Sequence, residues 1–187
     1  MPDIQSTQYA LNFLKNYTDS NNNNQPFFLA VGYHKPHLPL KYPKEFLDMY
    51  PIEEIDIAAN PELPFDLPPV AYEPWTDLRW RDDIAALNLS FPYEPIPDFY
   101  AKRIIQSYYA ATTYMDSLVG QLLIALDEYG LTGNTIVSFI GDHGKIKDWA
   151  SLVFNFIKGK TSLELIALFL GNTALTDCSC DCCLTLL

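Results

Sequence analysis

An α/β fold is predicted by two short apolar runs, a long amphipathic helix between them, and a knot of polar residues closing each run. The first run, "FFLAVGY" at 27–33, follows Pro26 and carries no charge. It reads as a strand buried on both faces, of the kind found inside a parallel sheet. The second, "TIVSFI" at 135–140, has the same character. Open sheets of this class bind ligands beyond the carboxyl ends of their strands. The first run leads directly into His34-Lys35-Pro36-His37, the second into Gly141-Asp142-His143-Gly144.

Taken in order, residues 3–17 form a helix with Ala10, Leu11, Leu14 and Tyr17 on one stripe. The tract "TDSNNNNQ" ends it as a solvated loop. After the first strand, Pro36 to Pro97 is dense in proline, which removes ladder donors and breaks helices, so an irregular excursion is expected. An irregular segment of that length inside a domain is unusual unless it is functional. Asp98 then caps a helix whose apolar positions are Ile104, Ile105, Tyr108, Ala111, Met115, Leu118, Val119, Leu122, Leu123 and Leu126, spaced by threes and fours. Gly130 stands where a helix-terminating glycine belongs. Strand, crossover, helix and strand make the two runs parallel neighbours, with both polar knots at one edge.

Composition narrows the classes of partner. The hydrophobic fraction of 49% and aromatic fraction of 14% support a packed core over 187 residues. A net charge of -11 leaves no excess of Lys and Arg to neutralise phosphates, so nucleic acid is a poor partner and none is expected. An anionic substrate is still allowed, because a local cationic cluster or bound cation can dominate one pocket. No apolar stretch approaches the roughly 20 residues of a membrane span. The N-terminus "MPDIQSTQYALNFL" lacks the basic and apolar regions of a secretory signal. The triplets at Asn16 and Asn88 fit the N-glycosylation pattern. The first 177 residues contain no cysteine, hence neither a disulfide framework nor a thiol nucleophile.

Two readings of the polar knots stand side by side. Histidines in loops are commonly solvated, and an Asp-His turn often does no more than cap the next helix. The sharper reading takes Asp142 as a hard oxygen ligand for a divalent cation, with His143 beside it.

The ordered segments "PFFLAVGYHKPHLPL" and "SYYAATTYMDSLVGQLLIALDEYGLTGNTIVSFIGDHG" resemble the sulfatase family within the alkaline-phosphatase superfamily. "GYHKPHLPLKYPKEF", "LPPVAYEPW" and "PYEPIPDF" resemble its iduronate-type members in particular. The resemblance covers residues 3–144, a partial sulfatase domain (1–144) followed by a divergent tail (145–187). It implies a sulfatase-type α/β sheet with flanking helices and hydrolysis of a sulfate ester. The implied substrate is the 2-O-sulfate of iduronate in heparan and dermatan sulfate, and the implied compartment is the lysosome. His37 would contact the sulfate group or leaving oxygen as the catalytic and substrate-binding residue, while Asp142 and His143 would bind calcium. A cation stabilises charge on sulfuryl oxygens, and an imidazole can protonate the departing alcohol. His34 is expected to be solvated, and Lys35 has no implied role.

The family's nucleophile is a formylglycine made from Cys or Ser in a Cys/Ser-x-Pro-x-Arg motif. That motif occurs nowhere in these residues, so no nucleophile is assigned and the chain is expected to be an incomplete, inactive fragment. The alternative is a non-catalytic product that binds a sulfated glycan or a partner chain. Beyond Gly144 the resemblance ends, and Lys145 and Lys147 take no role from it. Cys178, Cys180, Cys182 and Cys183 lack the spaced pairs of a zinc site and read as an unrelated terminus.

Overall fold

The computed structural model describes residues 1–20, 25–59, 65–66, 68, 81–89, 96–141 and 164–170. Asp142, His143, Lys145, Lys147, the four cysteines and, apart from Pro68, the segment "LPPVAYEPW" lie outside the described residues. Pro2 opens helix α1 (Pro2–Asp19), a position where its missing N–H is not needed. The buried stripe is Asp3, Thr7, Ala10 and Leu14, a helical period that begins with two polar residues. Thr7 Oγ1 donates to the Asp3 carbonyl at 2.9 Å and shares a 3.1 Å hydrogen bond with Tyr33 Oη. Leu11 and Tyr17, expected on the stripe, pack at its margin.

Strand β1 (Phe28–Tyr33) alternates along its length. Val31 and Tyr33 are buried against α1 and the long helix, whereas Phe28 is 53% exposed on the other face. This corrects the expectation of burial on both faces. Period-two alternation sends neighbouring side chains to opposite faces, and among the described residues helices cover only one.

The sheet has three strands in the order β1–β3–β2, with β2 at Thr135–Ile140 and β3 at Glu164–Leu170. Strand β3 runs antiparallel to both neighbours. The first two strands are therefore parallel to one another, as expected, but they are not adjacent. A segment of the expected tail lies between them. Registers pair Tyr33 with Glu164 and Ile140 with Leu165. The carboxyl ends of β1 and β2 thus emerge at the same edge, roughly 10 Å apart by twice the usual strand spacing.

Two short helices, α2 (Lys44–Leu47) and α3 (Asp82–Ala85), interrupt the proline-rich excursion before the long helix α4 (Asp98–Glu128). Pro97 occupies the N-cap of α4, and Asp98 is its first residue, with no side-chain cap bond. The expected capping role of Asp98 is thereby corrected. Its carboxylate still lies in the first turn, where the helix dipole favours negative charge. The buried face comprises Ala101, Ala110, Ala111, Tyr114, Met115, Leu118, Leu122, Ala125 and Leu126. Leu123, assigned to that face from its spacing, is 44% exposed, because Leu122 and Leu126 already define the seam. Gly130 ends the helix at φ +67°, the left-handed conformation that terminates helices.

The excursion folds back onto α4. Phe46 meets Tyr114 edge-on at 5.4 Å, Tyr50 Oη shares a 2.5 Å hydrogen bond with Thr113 Oγ1, and Gln106 Nε2 donates to the Tyr50 carbonyl at 2.6 Å. The chain leaving β1 is thus tied to the helix that leads into β2. Among the described residues no helix is long and apolar enough to cross a membrane.

Candidate functional site

Sequence reasoning placed its strongest site residue, His37, on the loop leaving β1, and the structure shows how that loop is held. The His34 N–H donates to Asp3 Oδ1 at 2.7 Å, tying the strand end to the first turn of α1. The His37 N–H then donates to the His34 carbonyl at 2.9 Å and closes a turn. Both imidazoles meet one acceptor: His34 Nε2 lies 3.1 Å and His37 Nδ1 2.6 Å from the Leu38 carbonyl oxygen. Their ring centroids are 4.9 Å apart.

A carbonyl oxygen can only accept, so Nδ1 of His37 carries the proton in this contact. That leaves Nε2 without a partner among the described residues. One hydrogen bond at Nδ1 sets both the tautomer and the ring orientation. The residue is half-buried, which suits a group that must be positioned and still be reached. Its free nitrogen can accept a proton, or donate one once the ring is charged.

Lys35 is the residue whose place the sequence left open. It is only 5% exposed. Its ammonium donates to the carbonyls of His37 at 3.2 Å and Pro39 at 3.0 Å. Burial pushes its pKa down, nearby Asp3 pulls it up, and Lys41 pushes it down again. A buried ammonium is tolerable only when its hydrogen bonds are satisfied. Lys35 therefore staples the loop from inside through two of its three donors. His34 is exposed, as expected.

Asp3 was missed altogether. It lies 31 positions before His34, and nothing in a helix's first turn announces a partner that distant. The second polar knot is described only as far as Gly141, which follows β2 at the same sheet edge as His34. Among the described residues no group of three or more His, Cys, Asp or Glu side chains is arranged to hold a metal ion.

Helices packed on a sheet, with an oriented imidazole on the loop leaving β1, make an α/β protein whose candidate site lies at the carboxyl end of that strand. The sulfatase family profile matches residues 1–163, and the chain belongs to the sulfatase family. It is 47% identical to human iduronate 2-sulfatase over 178 residues, 93% of this chain and 32% of that protein. Against the mouse iduronate 2-sulfatase the identity is 52% over 144 residues, 77% of this chain and 26% of the relative. A sulfatase of Formosa agariphila is 34% identical over 151 residues, again 77% of this chain and 26% of the relative. The chain thus spans about a third or less of the length of these relatives.

Proposed function

We propose that this chain carries the leaving-group side of a sulfuric ester hydrolase site, of the kind that cleaves 2-O-sulfate from iduronate in heparan and dermatan sulfate. The observation that supports it most directly is His37, fixed through Nδ1 by the Leu38 carbonyl with Nε2 left available. In this reading Nε2 contacts the sulfate group or the ester oxygen. As the S–O bond breaks and the sulfuryl group passes to a nucleophile not assigned to this chain, the protonated ring gives its proton to the departing alcohol. The neutral ring is returned in the tautomer that Leu38 selects.

The same reading gives calcium to Asp142 and His143. Their donor chemistry suits a divalent cation in part, with one hard oxygen and one nitrogen, against the six to eight oxygens calcium takes. A bound cation would supply charge neutralisation at the sulfuryl oxygens. The family resemblance also supports a lysosomal setting.

No residue of this chain is assigned as nucleophile, since Cys/Ser-x-Pro-x-Arg does not occur in it. The 187 residues alone are therefore expected to bind a sulfate ester without turning it over. That absence also favours a second reading, a non-catalytic product that binds a sulfated glycan through the His37 loop. Titrating the purified chain with an iduronide 2-sulfate tests both. Binding that weakens in His37→Ala, with no release of inorganic sulfate, is the expected result. Turnover abolished by His37→Ala would overturn the inactivity, and binding indifferent to that substitution would overturn the role of His37.

A further inference from the structure

We propose that the cleft bounded by Lys41, Arg81 and Arg103 binds an anionic group of a sulfated oligosaccharide, as a subsite next to the His37 loop. The loop that orients His37 does not end there. Leu38 through Lys41 continue as one wall of a cleft of about 460 Å³. Arg81 and Asp83 at the start of α3 form another wall, and Tyr100, Arg103 and Ser107 on the first turns of α4 close it. Volumes of that order are typical of small-ligand sites.

The charge distribution points to the ligand. Among the described residues, three cationic side chains and one carboxylate line this cleft, in a chain whose net charge is -11. The carboxylate is already committed. Asp83 accepts Arg81 Nε at 3.0 Å on Oδ1 and Arg81 Nη2 at 2.7 Å on Oδ2. It also accepts the Tyr100 hydroxyl at 2.7 Å and the Ile84 N–H at 3.1 Å. These contacts hold the guanidinium fork in place while occupying two of its five N–H donors. The other donors have no partner among the described residues. Lys41 and Arg103 are exposed and form no ion pair among the described residues, and Arg103 lies 6.0 Å from the Phe99 ring centroid. One guanidinium held in place beside two exposed cations, in a chain of net charge -11, concentrates field lines into one cleft. Sulfates and carboxylates on neighbouring sugars match that arrangement, with Arg81 offering planar recognition of an oxyanion.

The ligand class rests on the sulfatase reading above, whereas the anion site rests on the cleft itself. The full chain would be titrated with a heparin-derived tetrasaccharide, a monosulfated monosaccharide and inorganic sulfate at low ionic strength. Wild type, Lys41→Gln, Arg103→Gln, their double variant, His37→Ala and Lys15→Gln would be compared. Lys41, Arg103 and Lys15 are all exposed, so the folded state should persist, and far-UV circular dichroism checks it. Lys15, on α1, controls for net charge.

Each cleft substitution should weaken tetrasaccharide binding about two- to fivefold, as for exposed charge contacts, and the double variant by roughly the product. The monosaccharide should be indifferent to the cleft variants, inorganic sulfate should bind more weakly than the tetrasaccharide, and Lys15→Gln should match wild type. Tetrasaccharide binding unchanged in the double variant, equally reduced in Lys15→Gln, or absent in wild type would overturn the subsite. Inorganic sulfate binding as tightly as the tetrasaccharide would overturn the saccharide assignment. If His37→Ala changes nothing while the cleft variants lose the tetrasaccharide, the reading of His37 fails and the cleft stands.

Discussion

Two backbone-directed contacts organise the strand-end loop, the Asp3 carboxylate on the His34 N–H and the Leu38 carbonyl on His37 Nδ1. Asp3 is 2% exposed, so removing its side chain leaves a donor without its charged acceptor and weakens the field that favours the Lys35 ammonium. Asp3→Ala should therefore cost about 1.5–3 kcal/mol in urea-induced unfolding, as for hydrogen bonds to charged groups, and Asp3→Asn should cost less. The opposite sign is expected at Tyr114. Its hydroxyl is buried with no hydrogen-bond partner among the described residues, so Tyr114→Phe removes a desolvated polar group and keeps the ring that meets Phe46. That variant should be neutral or more stable by up to about 1 kcal/mol. A third expectation concerns pH at the Arg81–Asp83–Tyr100 cluster. The Arg81 hydrogen bonds chiefly hold the Asp83 carboxyl down at about 2, below its usual 3.8. Asp83 therefore contributes stability above its unfolded pKa that is lost as pH falls through about 2. Tyr100 is raised from 10.0 to about 12, first by burial and then by its bond to Asp83. Its contribution is whole below pH 10 and disappears as pH rises through about 12. Both effects are small because the Arg81–Asp83 pair is 43% exposed on each side. In pH-dependent unfolding, Asp83→Asn should remove the acid limb and only partly reduce the alkaline one, because burial is the first cause at Tyr100.

At the scale of elements, α1, β1, α4 and β2 are all legible in the sequence, and so is the shared edge of the two strands. Periodicity placed the seam of α4 but included Leu123, since i, i+3 and i, i+4 steps alone do not say which side of a stripe is covered. The pair Leu122 and Leu123 tests the observed seam. Leu122→Ala should cost about 2–5 kcal/mol as a core truncation, and Leu123→Ala within about 0.5 kcal/mol. Strand β3 could not be anticipated. Its sequence, "ELIALFL", carries no motif, and insertion between β1 and β2 depends on hydrogen-bonding edges that only the folded sheet presents. The place of His37 on a strand-end loop was legible because the apolar run of β1 stops at Tyr33, four residues before it. Asp3 and the Arg81–Asp83–Tyr100 cluster were not, because their partners are distant in sequence or lie within the proline-rich excursion.

At the scale of the molecule, the sheet is incompletely covered among the described residues. The helices cover one face of β1, whereas β2 leaves Phe139 55% and Ile140 51% exposed, with Ile136 and Val137 exposed beside them. Consecutive residues of a strand point to opposite faces, so Phe139 and Ile140 show that neither face of β2 is well covered among the described residues. Such a strand combines high β-propensity, no charge and no proline, the composition that drives strand-to-strand association. The net charge of -11 opposes association through repulsion between copies, and salt screens that repulsion. Self-association of the isolated chain should therefore grow with both protein concentration and ionic strength. An exposed charge placed on the strand should suppress it at little cost to folding, since Phe139 contributes no buried core contact. Sedimentation of wild type and Phe139→Lys across a salt series is the measurement. A wild-type chain that stays monomeric at high salt, or a variant that associates equally, would show that some other surface governs solubility.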